Sequence, residues 1–488
     1  MLQALMFFSI VLIVVGPIHW YLWKRLVKDT TTTRRGRRIG TAAILALAVA
    51  LLAAFIVPRA VGAKASWIIP LVGYMWLAVL FYLLVTLLVL EIPRWLANRV
   101  WARRPAPDRA ATSTGTPAAT GTATAGAVEA GTAAGGAAAG GPLVAGSATA
   151  GATRVETALA EPGLAGTTPP AEITGPAGRT GAGQPGKGPL AGQVGGSSAA
   201  ADATAAREKA DGPVDPSRRL LLARSAAIFA GLTATGVTAY GVKTALGDPV
   251  LKRVQIPLAK LPRSMDGYKI ALVSDIHLGP LTGVEHSRRI VRSINGMSAD
   301  MIAVVGDMVD GSVTELGDEA APLRELTSRD GAYFVTGNHE YFSGAEEWLV
   351  EVDRLGMRPL QNERLEIRGL TLAGVNDLSG GDLGEGGPDF GKALGDRDPA
   401  KPVVLLAHQP IQAYEAAKHG VDLQLSGHTH GGQMVPFNLI AGLQQPVISG
   451  LGEVDGTQVY VTNGAGFWGP PVRVGAPPDI TLVELRAR

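Results

Sequence analysis

Hydrophobic and polar positions follow two different regimes along the 488-residue chain. In the first hundred residues apolar positions run almost unbroken, at about Leu5 to Trp23, Thr41 to Val57 and Trp67 to Leu90. Each run approaches the ~20 residues a helix needs to cross about 30 Å of hydrocarbon, so three transmembrane helices are predicted within a membrane domain at 1–104. The first run ends in His19, Trp20, Tyr21 and Trp23 without the small residues of a cleavage site, and it reads as a retained helix. A fourth run, about Ser225 to Leu246 within 218–247, follows Ser217-Arg218-Arg219-Leu220-Leu221-Leu222. It reads either as an anchor helix with basic flanks or as an internal twin-arginine-like export signal.

From Asp248 the texture changes to short apolar runs that end in polar residues, separated by amphipathic stretches. Strands are expected at Lys269 to Ser274, Met301 to Val305, Ala332 to Thr336, Leu370 to Val375, Pro402 to Ala407, Val421 to Leu425, Gln458 to Thr462 and Ile480 to Leu485. Helices are expected at Val284 to Met297, Asp318 to Ser328, Ala345 to Leu355 and Ile411 to His419. This alternation predicts an α/β sheet with helices on its faces, as one domain at 248–488. Ligands of such sheets sit beyond the carboxyl ends of the strands.

Composition separates the two regimes. Residues 105–217 are Ala, Gly, Thr, Pro and Ser without one aromatic side chain, too little apolar surface to offset chain entropy, so a disordered linker is expected there. Charge orients the rest. Lys24, Arg25, Lys28, Arg34, Arg35, Arg37 and Arg38 follow the first run, and Arg94, Arg99, Arg103 and Arg104 follow the third. The positive-inside rule makes both segments cytoplasmic. Arg218, Arg219 and Arg224 then hold the start of the fourth run inside, so the 248–488 domain is expected on the extracytoplasmic face of the cell membrane. That domain carries more acidic than basic side chains, which suits cation binding and argues against an extended nucleic-acid groove. The chain has no cysteine, which removes disulfides, thiolate ligands and cysteine nucleophiles.

The polar strand ends repeat one theme: Asp275-Ile276-His277, Gly306-Asp307-Met308-Val309-Asp310, Gly337-Asn338-His339-Glu340, His408 and Gly427-His428-Thr429-His430. Five of the eight histidines fall in these motifs. Carboxylate, imidazole and amide oxygens are the ligands with which a pair of divalent ions is held for phosphate-ester hydrolysis. His19, His286 and His419 lie outside the motifs and read as ordinary surface or interface residues.

As a set, Asp-x-His, Gly-Asp-x-x-Asp, Gly-Asn-His-Glu and Gly-His-x-His resemble the calcineurin-like metallophosphoesterase family over about 265–488. The resemblance implies a β-sandwich flanked by helices, four layers α/β/β/α, here preceded by transmembrane helices. It implies two divalent ions, Mn, Fe or Zn by the nitrogen and oxygen donors. Asp275, His277 and His430 would hold one; Asn338, His408 and His428 would hold the other; Asp307 would bridge them. His339 would stabilise the phosphate or protonate the leaving oxygen, and Asp310 would orient a ligand. The run Asn463 to Arg473 resembles a membrane-associated bacterial branch that includes phosphodiesterases of the cell envelope. Within it Arg473 is a candidate to grip the substrate phosphate, the alternative being a tight turn with Trp468 packed and Arg473 solvated. The expected activity is hydrolysis of a phosphodiester or pyrophosphate on a lipid-linked or cell-envelope substrate. The alternatives are a protein phosphatase or nuclease of the same fold, or a catalytically silent metal-binding module.

Overall fold

A computed structural model describes residues 13–61, 67–100 and 216–488, with the side chains of 13–58, 67–96 and 217–488. The expected linker at 105–217 lies, up to residue 215, outside the described residues, as does the start of the first apolar run. Residues 13–22 are helical and pass into a π-helical turn, Trp23–Lys28. Three long helices follow: α1 (Arg34–Val61), α2 (Ile68–Val100) and α3 (Pro216–Leu246). Their stretches Arg34–Pro58, Ile68–Leu96 and Ser217–Leu246 are long and apolar enough to cross a membrane. α2 packs against both α1 and α3. At the basic end of these helices an ion-pair network forms: Arg25 meets Asp29 at 3.0 Å and Glu91 at 2.8 Å, and Arg94 meets Asp29 at 2.9 Å.

The following domain contains twelve strands: β1 (Val250–Leu258), β2 (Tyr268–Val273), β3 (Met301–Val305), β4 (Ala332–Val335), β5 (Met357–Pro359), β6 (Glu363–Ile367), β7 (Leu370–Gly374), β8 (Val403–Leu406), β9 (Leu423–Ser426), β10 (Gly450–Val454), β11 (Thr457–Val461) and β12 (Asp479–Ala487). They form two six-stranded sheets, ordered β1-β12-β2-β3-β4-β5 and β10-β11-β9-β8-β7-β6. The central strands β2, β3 and β4 are parallel to one another, as are β7, β8, β9 and β11. Helices α4 (Val284–Gly296), α5 (Val313–Ala320), α6 (Asn338–Ser343), α7 (Ala345–Arg354), α8 (Leu378–Leu383), α9 (Phe390–Leu394), α10 (Ala413–Lys418) and α11 (Asn438–Ala441) connect them.

Side-chain alternation explains the layering. Ile270, Leu272 and Val305 of the first sheet share one buried cluster with Leu372, Leu406 and Leu425 of the second, so the sheets face each other. The intervening Ala271, Val273 and Val304 turn to the opposite face, where Ile290, Leu316 and Trp348 of the helices cover them. On the second sheet, Val403 and Leu405 turn outward to Phe390, Ala393 and Ala416. Strands buried on both faces read as unbroken apolar runs, and the four layers α/β/β/α agree with expectation.

Candidate metal centre

The polar motifs leave the carboxyl ends of β2, β3 and β4 in one sheet and of β8 and β9 in the other, and they meet at one rim of the sandwich. Three groups of side chains come close enough there to share an ion: Asp275 with His277 and His430, Asp307 with His408 and His428, and His277 with Asp310 and His339. In the first, His430 Nε2 lies 3.3 Å from Asp275 Oδ1 and 3.0 Å from His277 Nε2. In the second, His408 Nε2 lies 3.1 Å from Asp307 Oδ2. Asn338 joins this group with Oδ1 at 3.1 Å from His428 Nδ1. Asp307 also lies 3.9 Å from His277 Nε2, between the first two groups.

The backbone is forced into this arrangement. Asp275, His277, Asp307, His428 and His430 all have φ between 48° and 70°, a left-handed conformation that costs on the order of 1–3 kcal/mol per non-glycine residue. The motif glycines allow the loops to touch. A Cβ at Gly337 would stand 2.6 Å from the Asp307 amide nitrogen, and one at Gly427 would stand 2.6 Å from Ser274 Cβ.

The donor set fits divalent cations. His408 Nδ1 donates to the Val305 carbonyl at 2.8 Å, and its Nε2 faces Asp307 Oδ2; burial opposes a charge on the ring, but Asp307 and Asp275 outweigh it and hold His408 well above its usual value. Nothing else bonds the buried Nε2, and a shared cation satisfies both atoms. Asp307 is held well below the usual carboxylate range because His408, His339 and His277 outweigh the opposing effect of burial. Burial and the adjacent His408 keep His428 neutral down to about 3.

Asp310 donates nothing and receives twice. One of its oxygens lies 2.9 Å from His277 Nδ1 and 2.7 Å from His339 Nδ1, so it fixes both rings. Burial opposes a charge on His339, but Asp307 and Asp310 outweigh it and push the ring up to about 9. Glu340, quoted in the sequence motif without a role, is fully buried and accepts the backbone amides of Asp307, Met308 and Gly337 at 2.7–2.9 Å. Burial, reinforced by Asp307, raises its carboxyl to about 7.

Three sequence readings need correction. Arg473 neither grips an open phosphate site nor is solvated: it is fully buried and donates to the carbonyls of Gly466 and His430. Its Nη2 also lies 3.0 Å from His430 Nδ1. A guanidinium only donates, so the neutral His430 ring carries its hydrogen on Nε2, and ligation there requires that hydrogen to leave or Arg473 to let go. Trp468 is not packed away but half-exposed, its ring 6.0 Å from that of His339. His286 is not a surface residue: it is buried with Nε2 on the Ile276 carbonyl at 3.1 Å, and burial lowers it to about 4.

A cavity of about 500 Å³ opens on this rim, lined by His277, Asp310 and His339, by Phe342 and Trp468, and by Ala54, Pro58, Pro70 and Tyr74 of α1 and α2. The wall from α1 and α2 was invisible in the sequence, because more than two hundred residues separate it from the motifs.

Comparison with known proteins agrees with the geometry. Residues 268–432 match the family of calcineurin-like phosphoesterases. The chain is 38% identical over 295 residues to a bovine transmembrane protein with metallophosphoesterase domain, an overlap of 57% of this chain and 66% of that one. It thus spans just under two thirds of the bovine protein's length. It is 39% identical over 272 residues to an uncharacterized metallophosphoesterase of Helicobacter pylori strain J99, covering 55% of this chain and 73% of the relative. An uncharacterized metallophosphoesterase of Aquifex aeolicus is 35% identical over 243 residues, 49% of this chain and 92% of its own length. With its motifs converging on one rim of a four-layer sandwich, the chain belongs to the calcineurin-like metallophosphoesterase family.

Proposed function

We propose that the chain is a membrane-anchored phosphoesterase that uses two divalent ions to hydrolyse a phosphodiester or pyrophosphate bond in a lipid-linked substrate. The carrying observation is the shared cavity: the same space is walled by His277, Asp310 and His339 and by residues of two helices apolar enough to cross a membrane. Asp275, His277 and His430 would hold one ion and Asn338, His408 and His428 the other, with Asp307 between the two groups. These oxygen and nitrogen donors suit Mn, Fe or Zn, which would supply Lewis acidity for water activation and for neutralising phosphoryl charge. The protein's own contribution is positional and acidic. Asp310 holds His277 and His339 in fixed orientation through their Nδ1 atoms, which leaves His339 Nε2 for a phosphoryl or leaving-group oxygen.

The extracytoplasmic placement is supported by the ends of the helices. Lys24, Arg25 and Lys28 lie in the turn before α1 and the Arg34–Arg38 cluster at its start, and Arg94 lies late in α2; the cavity instead touches Ala54 and Pro58 late in α1 and Pro70 and Tyr74 early in α2. The acidic domain offers no basic groove to a nuclease substrate.

The test uses the full chain in lipid nanodiscs, loaded in turn with Mn, Fe and Zn. Hydrolysis of bis-p-nitrophenyl phosphate in preference to p-nitrophenyl phosphate is expected, and a lipid pyrophosphate in the disc is expected to outcompete its short-chain soluble form. Preference for the monoester removes the diester reading, and equal use of the two pyrophosphates removes the lipid reading. A reporter at Arg488 active only in the cytoplasm removes the placement.

A further inference from the structure

We infer that the loop running from the metal motif into α11 is an interfacial knuckle that dips into the bilayer leaflet facing the catalytic domain. Between His430 and Glu453 the chain has no Asp, Glu, Lys or Arg, although the domain around it is acidic. Val435, Phe437, Leu439, Ile440 and Leu443 in this stretch are exposed, Leu439 at 69% and Leu443 at 85%. Five large apolar side chains within nine positions form a patch of the kind that marks a membrane or protein contact.

Continuity with the helices decides in favour of lipid. The root of the knuckle pairs with the C-terminal loop, since Val435 donates to the Val474 carbonyl at 3.0 Å and Val474 donates to Gln433 at 2.9 Å. That loop lies directly on α3: the Arg473 amide donates to the Gly241 carbonyl at 2.9 Å, and a Cβ at Gly241 would stand 2.5 Å from Val472 Cγ1. Met434 and Val472 are buried in one apolar cluster with Trp76, Ala230 and Ala234 of the long helices. Gly241 precedes the end of α3 at Leu246 by five residues, roughly 7 Å of helix. The root of the knuckle therefore sits below the helix end, at the depth where interfacial apolar side chains enter the headgroup and acyl boundary. The knuckle also abuts the metal motif, for a Cβ at Gly432 would stand 2.5 Å from Asn438 Cβ. Docking at this point holds the His428 to His430 loop, and hence the cavity mouth, at the lipid surface.

The inference rests on the reading of α1, α2 and α3 as bilayer-crossing, and the experiment separates the two. The chain has no cysteine, so Leu439→Cys, Leu443→Cys and Leu45→Cys each carry one environment-sensitive fluorophore in the full chain in phosphatidylcholine nanodiscs. Leu45 lies near the middle of α1 and reports on the span itself. At 439 and 443 at least twofold quenching is expected from lipids with a nitroxide at acyl carbon 5, exceeding that from carbon 12, with little from aqueous iodide. Iodide quenching at 439 and 443 with nitroxide quenching at 45 overturns the knuckle and leaves the span standing. No nitroxide quenching at any of the three overturns both. Energy transfer between copies at 439, with neither quencher effective, assigns the patch to a second copy and overturns the lipid assignment.

Discussion

The two walls of the cavity differ in how firmly each side chain is held. On the metal side, Asp275, His277, Asp307 and His408 are buried, wound in left-handed loops or bonded to backbone, and packed against glycines that tolerate no Cβ. On the side facing α1 and α2, Trp468 and Phe342 are exposed and lie edge-on to the His339 ring at centroid distances of 6.0 Å and 5.8 Å. The first wall is built like an interior and the second like an interface. A reacting centre needs groups fixed before substrate arrives, whereas recognition of a greasy substrate needs area and some give. If the proposed function holds, substitutions on each wall should leave different signatures.

The largest effect is expected from Asp307→Ala. It removes the carboxylate between the two groups and leaves the buried His408 Nε2 without its neighbour. Activity on bis-p-nitrophenyl phosphate should fall by roughly a thousandfold or more, and elemental analysis should show reduced metal content. Retained metal and turnover would erase the contrast between the walls. His339→Asn comes next. An amide keeps the approximate shape but cannot give up a proton, so kcat should fall by roughly a hundred- to ten-thousandfold while metal content stays at the level of the unaltered chain. Equal turnover would show that the ring is not the acid. Asp310→Asn keeps the size of the carboxylate but loses the charge that orients His277 and His339, and a loss of about ten- to a hundredfold is expected.

The same division explains what could be read from the sequence. Motifs that cluster at strand ends announce themselves, and the strands behind them, such as Met301–Val305, are apolar on both faces and stand out as runs. The edge strands did not stand out. Glu363–Ile367 and Val250–Leu258 carry charged side chains on exposed positions, as edges do to resist pairing, and so lack a clear apolar signal. The helix expected at Asp318 to Ser328 begins earlier, at Val313, where Ser312 and Glu315 form a capping box, and tightens into a 3₁₀ turn from Ala321. Arg473 was misread because its partners, the carbonyls of Gly466 and His430, are backbone atoms that composition cannot reveal. That Tyr74 lines the same cavity as His277, Asp310 and His339, across so long a stretch of chain, is a property of the tertiary structure alone.

The smallest effect, and the one that most sharpens the comparison, is expected from Trp468→Ala. The ring is half-exposed and its backbone amide is held by Gln433 at 3.1 Å, so the loop keeps its course without the side chain, and the melting temperature should barely move. Small soluble esters reach His339 and Asp310 without crossing this ring, and their kcat/KM should stay within about twofold. An apolar chain lying along the cavity loses part of the area the indole covers, about 1 kcal/mol, so kcat/KM for a lipid-borne substrate should fall roughly fivefold, through KM. An equal loss on both substrates would mean that Trp468 positions His339 and belongs to the rigid wall. No loss on either would leave Phe342 and the membrane helices as the remaining apolar surface of the cavity.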